Sequence, residues 1–188
     1  LFTIYLAGEC IQAGASLEGG LDGFLSRRSA NLRSKWRKSF RRAADRGVTF
    51  ERSCPTDAVG ADAVYARMLA VEQRSWKGVG HCGMTESPAR EFYADMIRRL
   101  AAQGTARVMF ARHEGQDIGF IFGGMLGPCY RGQQFSYDAA WKDLSIGNLL
   151  QVEQIRSLIK RKVDLLIISA NESEPVTPIA IEAYRAGI

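Results

Sequence analysis

Histidine is nearly absent from this 188-residue chain, which has two, His81 and His113. That scarcity leaves little room for Ser-His-Asp or Cys-His catalysis, where an imidazole must stand beside the nucleophile. Cysteine is sparse as well. The four, at positions 10, 54, 82 and 129, form no Cys-x-x-Cys pair, whereas metal sites want clustered ligands and secreted disulfide frameworks want denser cysteine. His81-Cys82 with His113 is the one conceivable metal set, and no metal is expected. The thiols read as reduced and mostly buried, in a cytoplasmic protein. No stretch approaches the ~18 uninterrupted apolar residues of a membrane-spanning helix. Leu1–Ala7 is apolar but lacks the basic start and length of a signal peptide, so it reads as a strand. An initiator Met is missing, and Ala186-Gly187-Ile188 ends as abruptly, so a piece of something longer is expected.

With 46% hydrophobic and 24% charged residues, the composition is that of an ordinary globular chain, long enough for one domain. The net charge of +5 is unevenly spread. Arg27, Arg28, Arg33, Lys35, Arg37, Lys38, Arg41, Arg42 and Arg46 face only Asp45 across that segment. Such a block must meet solvent or an anionic partner. A solvated helix face is the first reading, attraction of an acidic substrate the second, and nucleic acid the third, since Trp36 and Phe40 look inward-facing.

Periodicity organises the rest. Ser16–Gly23 reads as a glycine-rich loop, and 21–44 as a helix with Leu32, Trp36 and Phe40 along one face. Arg46-Gly47 closes it before a strand at 48–52. A second helix is expected over 57–76, then a loop through Gly78, Gly80 and Gly83. Ser87-Pro88 opens a third helix, serine as cap and proline in the first turn, with Phe92, Met96, Ile97 and Leu100 in helical period. Strands follow at 106–112, 117–125 and 130–137, joined by the turns Glu114-Gly115 and Gly127-Pro128, which implies an antiparallel meander. A helix is expected over 147–160, then an apolar strand at 164–169 covered on both faces, and a last helix at 180–187. The fold class is therefore α/β (α+β): helices on a mixed, mostly antiparallel sheet.

The stretch from Tyr137-Asp138 to Ser145-Ile146-Gly147-Asn148-Leu149-Leu150 carries the clearest chemistry. A strand runs into a loop that feeds a helix, whose first N–H groups lack partners and whose dipole is positive there. That arrangement suits a pyrophosphate. Gly147 would allow close approach and Ser145 can cap the helix. A plain helix start with no ligand is the competing reading.

Three motifs in order, Arg33-Ser34-Lys35-Trp36-Arg37-Lys38, Glu72-x-x-Ser75-Trp76-Lys77-Gly78, and Tyr137-Asp138 followed by Ser145-x-Gly147-x-Leu149-Leu150, resemble the CelD-like (BioF2-like) acetyltransferases of the GNAT superfamily, a branch related to FemAB-type folds. The resemblance spans about residues 24–160. It implies an N-acyltransferase moving an acyl group from acetyl-CoA, or another acyl-CoA, to an amine on a small molecule or peptide. It also implies an upstream GNAT-like half, with residues 1–46 as a strand remnant plus the basic helix and 47–188 as the acyltransferase core. The C-terminal part departs from that branch, lacking a Tyr-Lys motif. Its Ala180…Tyr184…Gly187 run is closer to a general GNAT ending, where Tyr184 would protonate the leaving thiolate.

On this basis the candidate catalytic residues are Glu72 and Asp138 as bases and Tyr184 as acid. Gln134, Phe135, Ser136, Ser145, Ile146, Gly147, Asn148 and Leu149 are the expected donor contacts, with backbone N–H groups near 134–136 as oxyanion donors. Trp76, Lys77, Gln133 and Tyr137 are the expected acceptor-side contacts. The alternatives are a FemAB-like aminoacyltransferase drawing on aminoacyl-tRNA, and a non-catalytic GNAT-like scaffold.

Overall fold

The computed structural model describes residues 30–167 and 173–188. Its elements are α1 (Ala30–Asp45), β1 (Thr49–Ser53), α2 (Ala58–Gln73), the short α3 (Trp76–Val79), α4 (Ala89–Ala102), β2 (Ala106–His113), β3 (Gln116–Leu126), β4 (Cys129–Tyr137), a 3-10 segment (Ala139–Leu144), α5 (Ile146–Lys160), β5 (Leu165–Ile167) and α6 (Ser173–Arg185). The strands form one sheet in chain order, antiparallel from β1 to β4, with β5 parallel to β4. This is the mixed, mostly antiparallel sheet expected. The expected strand over 1–7 and loop over 16–23 lie outside the described residues.

Alternation along the strands sends Val108, Phe110, Phe120 and Phe122 to one face, where they pack with α2 and α4 through Met68, Val71 and Ile97. Met109, Ala111 and Ile121 point to the other face and meet Ile146, Leu149 and Leu150 of α5 together with Ala43 and Phe40 of α1. Lys38, Arg41 and Arg42 on α1 and Arg46 just beyond it are exposed. Arg67 clamps α2 to the sheet through a two-pronged pair with Asp117, at 2.7 and 2.9 Å, and a bond to Glu51 at 2.9 Å.

Several expectations are corrected. The second helix stops at Gln73, and Ser75 starts a separate turn because its hydroxyl accepts from the Lys77 and Gly78 amides. Ser87 does not cap α4; its hydroxyl donates to Glu91 at 2.7 Å. Phe92 is exposed rather than inward-facing, because Ile97 and Ala101 define the buried stripe of α4. The strand at 165–167 is not covered on both faces, since Leu165 and Ile167 are each about half exposed at the sheet edge. The last helix begins at Ser173, taking in Pro175 and Pro178. Cys54 and Cys82 are exposed and Cys129 is half-buried, so these thiols are not core residues.

Two glycines seat α5 on the sheet. A Cβ on Gly119 of β3 would stand 2.7 Å from Ile146 Cγ2, and one on Gly147 would stand 2.9 Å from the Phe135 ring. Helix and sheet approach more closely than side chains allow, which fixes where the first turn of α5 lies relative to β4. Gly119→Val should lower stability by about 1–3 kcal/mol, read as a reduced urea midpoint. Tyr65 gives a second check: burial pushes its phenol up to about 12, above the ordinary value of 10.0. The folded state therefore favours the protonated phenol, and that stability is intact below pH 10 and declines as pH rises toward 12. Tyr65→Phe should flatten the alkaline loss in denaturation curves taken across that window.

Candidate active site

The candidate site lies along β4 beyond the residues that pair with β5. Only Cys129–Arg131 pair with β5, leaving the rest of β4 without a partner on that edge among the described residues. Hydrogen-bond alternation shows which peptide groups face the gap. The Asp138 amide donates to Ile118 at 2.9 Å, and the pair continues the register that sets Tyr137 against Gly119 and Ser136 against Phe120. Hydrogen-bonded pairs alternate in an antiparallel ladder, so Asp138, Ser136 and Gln134 bond toward β3. Phe135 and Tyr137 accordingly turn their N–H and C=O groups to the open edge. A bulge marks the same place: Phe122 faces Gln134 and Gly123 faces Gly132, so Gln133 is an extra residue in β4.

The side chains divide by face. Phe135 and Tyr137 lie against Gly147 and the start of α5. Gln134 and Ser136 point to the α2–α4 face. There Lys77 Nζ donates to Gln134 Oε1 at 3.1 Å and to the Phe135 carbonyl at 2.9 Å, and Gln134 Nε2 donates to the Tyr93 hydroxyl at 2.8 Å. An ammonium therefore stands at the open edge. The adjoining cleft, of about 160 Å3, is lined by Lys77, Gly132 to Phe135, Gln151 and Gln154 among others, and among the described residues no carboxylate lines it. Two buried polar atoms of its lining residues find no partner among the described residues: Gln151 Oε1 and the Tyr130 hydroxyl, which lies beside Gln154 without a well-formed bond. Orphaned buried groups of this kind are costly unless a ligand or water meets them.

At the end of this edge, the first turn of α5 presents free amides. Asn148 and Leu149 N–H groups return to the Ser145 carbonyl, whereas those of Ile146 and Gly147 find no backbone acceptor among the described residues. Ser145 does not cap the helix with its side chain: it adopts a left-handed conformation, φ 55°, and makes no side-chain cap bond. Its carbonyl rather than its hydroxyl organises the turn. Gly147 is buried toward Phe135 and Tyr137, so its missing side chain serves helix–sheet contact. Ile146 and Leu149 bury their side chains in the core, leaving their backbone as the part that can meet a ligand.

Glu72 is the other unusual group. It is fully buried at the end of α2, with Oε1 accepting from the Met84 amide at 3.2 Å and Oε2 unpartnered. It forms no ion pair with Arg74 or Lys77, which bond to Asp138 and to Gln134 instead. Gly83, φ +90°, passes so close that a Cβ would stand 2.5 Å from Oε1, and Lys77 flanks the same glycine. Gly78 is also obligatory, because a Cβ there would strike the backbone of Glu72 and Gln73. Asp138 is engaged otherwise: Arg74 Nε donates to it at 2.7 Å and it accepts from the Ala140 amide at 2.9 Å. Arg74 also reaches the Asp117 carbonyl at 2.6 Å, and its own carbonyl accepts from Ala139. Trp76 is 60% exposed, not a core plug. Tyr184 is 72% exposed on α6 and does not line the cleft.

Sequence reasoning missed Tyr93, Gln151 and Gln154. The two glutamines left a signal, since they interrupt the inward stripe of α5 with amides at i and i+3. Among the described residues no group of three His, Cys, Asp or Glu could hold a metal, and no helix is long and apolar enough to cross a membrane. Glu72→Ala should lower stability by more than Glu72→Gln, by about 1–3 kcal/mol, because glutamine keeps the acceptor for Met84; paired thermal denaturation measures the difference.

Comparison with known proteins gives the family. No curated protein matches the sequence. An aminoglycoside acetyltransferase from an uncultured soil metagenomic sample, solved with sisomicin, shares 14% identity over 77% of this chain and 89% of its own, with a TM-score of 0.49. A Thermoplasma acidophilum N-acetyltransferase solved with coenzyme A shares 15% over 73% and 87%, TM-score 0.44. A GNAT acetyltransferase of Brucella melitensis solved with acetyl-CoA shares 18% over 68% and 79%, TM-score 0.47. Residues 26–171 match the family model described as "Acetyltransferase (GNAT) domain", and the chain belongs to that family.

Proposed function

We propose that this chain is an acyl-CoA-dependent N-acyltransferase, most simply an acetyltransferase, that joins donor and acceptor at the open edge of β4. The observation that carries this reading is the Phe135–Tyr137 edge, unpaired among the described residues, beside the amides of Ile146 and Gly147, which likewise find no backbone acceptor there. A coenzyme A donor has a matching plan: an amide-bearing arm that can lie along a strand edge, and a pyrophosphate that suits a helix N-terminus. The Gln151 and Tyr130 groups, unpartnered among the described residues, and a lining with no carboxylate among those residues fit that donor.

The residues then take the following roles. The outward-facing Phe135 amide donates to the thioester oxygen, and the adjacent Lys77 ammonium stabilises the negative charge that grows there. Gln134, held between Lys77 and Tyr93, orients that ammonium. Glu72 is the base that takes the proton from the acceptor amine. Its free Oε2 has the needed lone pair, and the segment from Trp76 to Met84 must yield for the amine to reach it. Asp138 is a positioning residue, and Tyr184 has no part in this scheme. Exposed Trp76 forms an outer wall for the acceptor. The likeness of the Glu72-to-Gly78 motif to the CelD-like branch supports the same division of roles.

Two measurements test the reading. Asn148→Asp places a carboxylate in the first turn of α5, where it favours the helix but repels a pyrophosphate. Calorimetry should show acetyl-CoA bound about tenfold more weakly while thermal stability holds or rises; unchanged affinity would sink the donor site. Glu72→Gln should lower kcat by about 10²–10⁴-fold with donor affinity intact.

A further inference from the structure

Beneath the C-terminal half of α5 lies a second recess, of about 130 Å3, that acyl transfer leaves unused. Arg52 from β1, Arg107 from β2 and Arg161 just beyond α5 line it, with Gln154 and Ser157 also in its wall. Arg52 pairs with Met109 across the strands, and Arg107 shares that residue's parity, so both side chains leave the sheet toward α5. Among the described residues no carboxylate lines the recess. By contrast, Arg67, Arg74, Arg98, Arg112 and Arg156 each pair with an Asp or Glu.

The donors are only partly occupied. Arg52 gives one N–H to Ser157 Oγ at 2.7 Å. Arg107 directs NH1 to the Gly104 and Ala106 carbonyls at 2.9 and 2.8 Å, while its Nε is buried with no acceptor. Three like charges around one concavity repel each other, and a buried unmatched donor adds to that cost. An anion in the recess would relieve the repulsion. A single carboxylate offers two oxygens, which one guanidinium can satisfy in a two-pronged pair. Three guanidiniums approaching from different elements suit a tetrahedral dianion with several oxygens. Space permits it, because one water needs only ~10–15 Å3 of such volume.

We propose that this recess binds a phosphate group, on a phosphomonoester or as inorganic phosphate, apart from the donor cleft. Gln154 stands in the walls of both.

The test is a titration of the ¹⁵N-labelled full chain, following the Arg107 Nε–H resonance. Inorganic phosphate and glycerol 3-phosphate are the two ligands, and chloride at equal ionic strength is the control. The resonance should shift saturably with phosphate, and whichever ligand binds more tightly identifies the source. Arg161→Ala and Arg52→Met should each weaken binding about tenfold, with circular dichroism unchanged. Arg161 carries no core packing, so its variant keeps the test open should Arg52→Met fold poorly. A shift that fails to saturate, that chloride reproduces, or that survives undiminished in Arg161→Ala would overturn the proposal.

Discussion

The close seating of α5 on the sheet is the constraint on which the site depends. Glycine at 119 and 147 lets the first turn of that helix lie against Phe135 and Tyr137 of β4. Among the described residues β4 pairs with β5 only over Cys129–Arg131, so the outward peptide groups of Phe135 and Tyr137 have no strand partner there. The amides of Ile146 and Gly147 lie beside the same stretch of β4. The Gln133 bulge adds twist just beyond Arg131.

The protein also buries a carboxyl group. Met84 satisfies one oxygen of Glu72, but the second finds no partner among the described residues. Glycine at 78 and 83 lets the covering segment lie close enough to close off that group. Lys77, from the same segment, reaches across to β4. One short stretch of chain therefore both covers Glu72 and delivers Lys77 to the strand.

Much of the fold was legible in the sequence. The meander from 106 to 137 showed as alternation broken by Glu114-Gly115 and Gly127-Pro128, and helical period located the helices before and after it. Boundaries failed where local chemistry overrode period, as at Ser75, whose hydroxyl restarts a helix after α2 has ended. The site was legible as an address rather than as a set of roles. Tyr137 to Leu149 did lie where strand meets helix, yet the glycine at 147 serves packing and the serine at 145 acts through its carbonyl. Roles that depend on partners distant in sequence, such as Arg74 with Asp138 or Lys77 with Phe135, have no signature in spacing. Burial of Glu72 belongs to the same class, since Met84 and Gly83 cover it only once the loop has folded back.

The Arg74 clasp has a mechanical consequence. Its guanidinium holds Asp138 and the Asp117 carbonyl, and its own carbonyl receives the Ala139 amide. The end of α2 and the exit of β4 are thus riveted together, just ahead of the glycine-bearing segment that covers Glu72. That segment therefore departs from a fixed post. A change in its shape would leave the seating of α5 against β4 behind it undisturbed.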